Sequence, residues 1–328
     1  MDVVGVPAHL GDLLAGINVE ASYSPDTSLA ASERMHASFD AHLWDWKLSG
    51  YYNYADFYDL FGPTKVSRKG ESLRLAHSKF LIYDKPRTLT FDWNVAGYAG
   101  LDRLPEYQNV TTFVPNLFEA NAMLKYENLN RAQGAVDDEQ GTSWGVYSRI
   151  YYARGGFPRL WGNYNHGFLL PRNSALWLRT SAGKSFGDIN SPFSSFYFGA
   201  FGNNWVDHQD ISRYREYYSF PGVGIDDIAG RSYGKVMAEY NLPPKRFREL
   251  GATWCYVNWA RLTLFSSGLF TNFTSAPNRN YYGDLGTQLD LRVVLFTYLN
   301  TTLSGGYAAA TDKNGHVSTE YMVSLRIL

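Results

Sequence analysis

FPGVGIDDIAGRSYGKVMAEYNLPP, spanning Phe220 to Pro244, is the stretch whose reading decides the fold. It opens as a loop rich in Gly and Asp and turns into an alternating strand at about Arg231. From there Arg231, Lys235 and Glu239 place every charge on odd positions. Ser232, Gly234, Val236, Ala238, Tyr240 and Leu242 leave the even positions uncharged and mostly apolar or small. A period of two with charge on one face describes a strand between an apolar and a polar environment. A half-buried strand of a soluble sheet fits that pattern, and so does a strand of a membrane barrel with lipid outside and a wet interior.

Composition narrows the choice. Aromatic residues make up 16% of the 328 residues, with 25 Tyr, 20 Phe and 9 Trp, against 19% charged residues. Tyr and Trp in such numbers suit a boundary between water and an apolar phase. A net charge of -1 argues against nucleic acid as the main partner, because phosphate backbones are bound by a basic field. The single Cys255 excludes an internal disulfide and a thiolate metal cage, and it reads as a small structural hydrophobe. No apolar run is long enough for a transmembrane helix, which a barrel does not need. The start MDVVGVPAHLGDLLAG lacks the basic and apolar regions of a signal peptide, so either the protein is not exported or, the preferred expectation, the chain is the mature or C-terminal part of a longer precursor.

Strand patterns recur along the whole chain. Leu14–Tyr23, His36–Trp44 and Trp46–Tyr54 alternate clearly, and Asp56–Gly70 reads as a loop with a basic cluster at Lys65–Lys69. Leu73–Tyr83 and Thr88–Tyr98 form a hairpin, followed by Asn121–Leu129, Trp144–Ala153, Phe157–Leu170 and Ala175–Ser181. Phe193–Phe201 reads as one more strand, leading into the longest polar stretch, Gly202–Gly230. Thr253–Phe265, Gly283–Leu295, Tyr298–Ala309 and Val317–Leu328 complete the set. Most segments run about 9–12 residues, which crosses a bilayer at a tilt, whereas soluble strands centre on about 5–6. Short turns also alternate with longer polar loops. The expected fold is therefore all-β: one antiparallel transmembrane β-barrel of about 14 strands, between 12 and 16, occupying residues 1–328.

From Ser195 onward the order of parts resembles the C-terminal barrel of the BamA-like surface-antigen family of outer-membrane assembly and secretion proteins. The pieces that carry it are FYFGAFG at Phe196–Gly202, IAGRSYG at Ile228–Gly234, EYNLPP at Glu239–Pro244, then GTQLDLRVV and the terminal STEYMVSLRIL. About the last 130 residues are covered. The tip reads Gly230-Arg231-Ser232-Tyr233 where the family has Arg-Gly-aromatic, and the final residue is Leu328 where an aromatic is usual. The N-terminal DFYDLFGPTKVSRKG and LPEYQNV are similar to barrels fused behind a periplasmic β-propeller. The resemblance implies the outer membrane of a Gram-negative bacterium and a role in polypeptide translocation or membrane-protein assembly. Loop 202–230 would fold into the lumen, and an arginine, here Arg231, would tether it. The implied partners are outer-membrane lipid and lipopolysaccharide, unfolded or secreted polypeptide, and a periplasmic domain of the same precursor. No cofactor is expected.

The candidate site is the tip Gly230, Arg231 and Tyr233, with Glu239 and Asp290 as wall partners chosen from strand facing, since a confined guanidinium needs carboxylates. An ordinary solvated arginine fits Arg231 as well. His36 and His42 share a face with Asp40, but six residues along a strand is about 20 Å, too far for one ion. Trp205–Asp210 sets acid beside imidazole, without the Gly-x-Ser-x-Gly elbow of a serine hydrolase. Asp226 and Asp227 fall short of a calcium loop, and the sequons at Asn109, Asn272 and Asn300 carry no weight in a bacterial protein. A passive solute channel and a barrel hydrolase or soluble glycan-active enzyme stand as the alternative functions.

Overall fold

The computed structural model describes residues 4–11, 15–25, 34–53, 70–101, 114–132, 135–153, 155–187, 191–202, 206–207, 210–273 and 278–327. The basic stretch Lys65–Lys69, Asn109, Trp205, His208 and Leu328 lie outside the described residues. The first ten strands are β1 (Val4–Gly11), β2 (Ala15–Tyr23), β3 (Met35–Leu43), β4 (Trp46–Tyr52), β5 (Glu71–Asp84), β6 (Arg87–Ala99), β7 (Leu117–Asn130), β8 (Gln140–Tyr152), β9 (Gly156–Leu170) and β10 (Ser174–Ser185). An insert then carries the short β11 (Phe196–Phe198), β12 (Val206–Asp207) and β13 (Ile228–Gly230). The chain ends with β14 (Ser232–Asn241), β15 (Lys245–Ala252), β16 (Cys255–Thr271), β17 (Asn280–Leu295), β18 (Leu299–Asp312) and β19 (Val317–Ile327).

Seventeen of these form one sheet, and all but the two-residue β12 join it antiparallel. Each strand from β1 to β10 pairs with the next. β10 then skips the insert to pair with β14, and the meander resumes through β16, β17, β18 and β19. β14 and β15 lie end to end along β16. The break between them falls at Pro243 and Pro244, which have no N–H to give the ladder. Among the described residues the ladders do not close the sheet into a barrel.

The strand β14 keeps the alternation read in the sequence, and it is inverted with respect to a soluble protein. Tyr233, Lys235, Met237, Glu239 and Asn241 are buried, while Val236, Ala238 and Tyr240 are exposed. On β17, Asp284, Gln288 and Asp290 are buried while Leu285 and Leu289 face out. Leu285 is 67% exposed against 0% for Gln288 and 1% for Asp290. β16 repeats the pattern with Arg261, Thr263 and Ser267 inside and Leu262, Leu264 and Phe270 outside. On these three strands the sheet thus buries charged and polar side chains on one face and presents aliphatic and aromatic ones on the other.

Two sequence expectations change here. Phe193–Phe201 is not a strand of the main sheet: only Phe196–Phe198 is extended, and it pairs with β13 in a separate two-stranded sheet. Gly199, Ala200 and Gly202 all take positive φ directly after it, at 156°, 55° and 78°, so the extended run cannot continue. Conversely, β1 and β15 are strands that the alternation did not reveal, β15 because KRFREL mixes charge and apolar groups on both faces.

The described residues of the insert between β10 and β14 pack across the polar face of the sheet. Phe196 and Phe198 meet Tyr233 edge-on, each at 4.9 Å between ring centroids. Tyr214 stacks on Phe265 at 4.6 Å. Gly222, at φ 96°, lies so close to β18 that a Cβ there would stand 2.7 Å from the Ala310 nitrogen. Gly222→Ala is therefore expected to loosen the insert by about 1–3 kcal/mol, the usual range for overpacking. Limited proteolysis should then cleave the insert of the variant faster than that of the wild type; equal rates would argue against this contact.

Candidate functional site

Where the insert meets the sheet, the charges collect into one network. Glu239 on β14 is completely buried and accepts a hydrogen bond from Arg179 Nε of β10 at 2.7 Å. The same carboxylate receives Arg215 of the insert in bidentate fashion, from Nη2 at 2.6 Å and from Nε at 3.1 Å. Asn241 Nδ2 adds a fourth donor at 2.9 Å. Fork-on-carboxylate geometry of this kind fixes orientation as well as adding energy.

Arg215 does not stop at Glu239. Its Nη2 also lies 2.7 Å from Asp137 Oδ2, in the turn between β7 and β8. Arg261 of β16 donates from Nη1 to the same Asp137 oxygen at 2.7 Å and from Nη2 to Asp290 Oδ2 of β17 at 2.9 Å. The other Asp290 oxygen takes Gln288 Nε2 and Ser304 Oγ, both at 2.7 Å, and Gln288 Nε2 also donates to the Ile211 carbonyl of the insert at 2.8 Å. The ion pairs thus run Arg179–Glu239–Arg215–Asp137–Arg261–Asp290, binding sheet, insert and rim turn together. Burial on its own would raise the Asp137 pKa, but the guanidinium groups of Arg215 and Arg261 outweigh it and hold this carboxyl well below the usual range. A folded-state pKa below the unfolded value of about 3.9 means that the tie is fully present above that pH. It is lost only as the pH falls further, through the depressed value.

Two more attachments hold the insert. Lys235 Nζ donates to the carbonyls of Glu216, at 2.9 Å, and Ser219. Glu320 on β19 accepts the backbone N–H of Phe201 at 3.3 Å and of Gly222 at 3.0 Å. A polar cavity of about 270 Å³ remains between insert and sheet, lined by Lys125, Asn163, Asn165, Arg179, Asp210 and Tyr217 among others.

Of the residues singled out from sequence, Glu239 and Asp290 both sit in this network, but the guanidinium groups that meet them come from Arg179, Arg215 and Arg261. Arg231 does not reach either carboxylate. Its Nη2 donates to the Gly187 carbonyl at 2.7 Å and its backbone N–H to Asn272 Oδ1 at 2.9 Å. Tyr233 is fully buried among the insert aromatics, and Gly230 ends β13 opposite Phe196. His36 turns to the Asn53 carbonyl, and Asp210 caps the Ser212 N–H at 3.1 Å. Arg261 did leave a mark in the sequence, as the only charge in seventeen residues of strand. Arg215 and Asp137 left none, because SRYREY and AVDDE read as ordinary polar loops.

Compared with known proteins, the chain matches no protein-family model and no curated protein.

Proposed function

We propose that the chain is an outer-membrane β-barrel whose first and last strands meet in the membrane, with the insert as a plug in its lumen. Its role would be to move or insert polypeptide at that membrane. The observation that carries this reading is the inverted sheet, with Glu239, Gln288 and Asp290 at 0–1% exposure and Leu285 and Tyr321 at 67% and 78%. In water such a face would aggregate; in lipid it is the expected exterior. The order of the meander puts the longer connections 24–34, 53–70, 100–116 and 186–231 on one rim and the turns 44–45, 85–86, 171–173 and 253–254 on the other. In outer-membrane barrels the long connections face outward, so the plug enters from outside. The resemblance of FYFGAFG, IAGRSYG and EYNLPP to the BamA-like surface-antigen family supports polypeptide as the cargo, with lipid, lipopolysaccharide and a periplasmic domain as partners.

A plug tied at this many points keeps the lumen shut until something displaces it. Reconstituted in a planar bilayer, the wild type should conduct little, and Arg215→Ala, which cuts the plug from Glu239 and Asp137 together, should raise the open probability several-fold. The polar cavity beside the insert favours a second reading, a passive solute channel. That reading predicts steady conductance of similar size in both proteins. For the polypeptide role, proteoliposomes should speed the insertion of an unfolded barrel protein over empty liposomes; no acceleration would sink it.

A further inference from the structure

At the long-connection rim, the end of β10 and the start of β14 flank a cavity of about 470 Å³ that the ion-pair network does not reach. Two cationic side chains, Lys184 and Arg231, line it, and among the described residues no carboxylate does. Ser185 and Ser232 are each 1% exposed, yet neither hydroxyl has a hydrogen-bond partner among the described residues. The Arg231 Nε is likewise buried and unmatched, although its Nη2 is held by the Gly187 carbonyl. Lys184 lies directly across the ladder from Ser232. Buried donors without acceptors are costly, and native structures keep them where something else completes them.

We propose that this cavity binds a phosphate group. A tetrahedral dianion offers acceptors in several directions at once, and so can meet Arg231 Nε and a buried hydroxyl while the Lys184 ammonium, now over the Phe186 ring, supplies a second positive charge at the same cavity. Paired guanidinium and ammonium groups without a competing carboxylate are the usual surroundings of bound phosphate. The phosphate is either free in solution or carried by a glycolipid of the outer leaflet. The glycolipid source rests on the membrane reading above, whereas the phosphate chemistry does not. Arg231, placed at the rim and away from Glu239 and Asp290, thereby has a role of its own.

The test measures two probes on the full chain. Inorganic phosphate is titrated calorimetrically into the purified protein, and vesicles with phosphorylated or dephosphorylated glycolipid are offered in parallel. The double variant Lys184→Gln/Arg231→Gln should weaken phosphate binding at least tenfold, roughly what losing one charge-assisted hydrogen bond implies. Arg248→Gln, on β15, should leave it unchanged. Strand content by circular dichroism confirms folding in each case. Binding of inorganic phosphate that the double variant loses identifies a free-phosphate site. Binding only to phosphorylated vesicles, lost in the same variant, identifies the lipid. If the wild type binds neither probe, or the folded double variant binds as well as the wild type, the proposal is wrong. Should the protein prove soluble without detergent, the titration with inorganic phosphate still decides the site while the membrane reading falls.

Discussion

Glu239→Ala is expected to cost about 3–5 kcal/mol, because it removes the carboxylate that two largely buried guanidinium groups share. Arg179 and Arg215 have side chains only 14% and 18% exposed, and both point at this one group. The temperature at which the folded form unfolds in detergent should drop accordingly, and proteolysis should reach the insert first. Glu239→Gln keeps an acceptor oxygen and should lose less. In a double-mutant cycle, Glu239→Ala and Arg215→Ala should be strongly non-additive, since they sever the same tie. A loss for Glu239→Ala below about 1 kcal/mol, the level of an exposed surface pair, would show that the network does not hold the insert.

The outward face calls for the opposite experiment. Leu289 lies near the middle of β17, points outward and sits across the ladders from Leu262 and Gly305. If that face meets hydrocarbon, Leu289→Arg costs about 2–4 kcal/mol, the penalty for a cation at the bilayer midplane. If it meets water, a surface substitution of this kind stays within about 0.5 kcal/mol. Unfolding free energies measured in lipid vesicles separate the two. The small value would contradict the membrane reading even if Glu239 behaves as expected.

These two residues also show what could be read from the sequence and what could not. Facing was legible: a strand fixes its period, so Glu239 and Asp290 could be put on one side and Leu285 and Leu289 on the other before any coordinates. Alternation alone did not say which of the two sides is buried; the structure buries the charged one. Partner choice was not legible. Asp137 is met by Arg215 and Arg261, which are 78 and 124 residues further along the chain, and no local pattern encodes such separations. The aromatic segment Phe193–Phe201 misled for a related reason. Its composition suits a strand, but the positive φ values at Gly199 and Ala200 turn it across the sheet, where its rings become packing for Tyr233. Arg231 was placed with the carboxylates by resemblance and strand facing, and the ladder instead leaves it at the rim beside Gly187.

The most direct test of the account is electrophoretic mobility before and after boiling, run on protein prepared with and without detergent. A β-barrel closed in the membrane has no free edge from which SDS can unzip it, so it stays compact until heated. The expected result is protein that is soluble only in detergent, with an unheated band that migrates apart from the boiled one. A monodisperse protein in plain buffer, with one mobility before and after boiling, would contradict it.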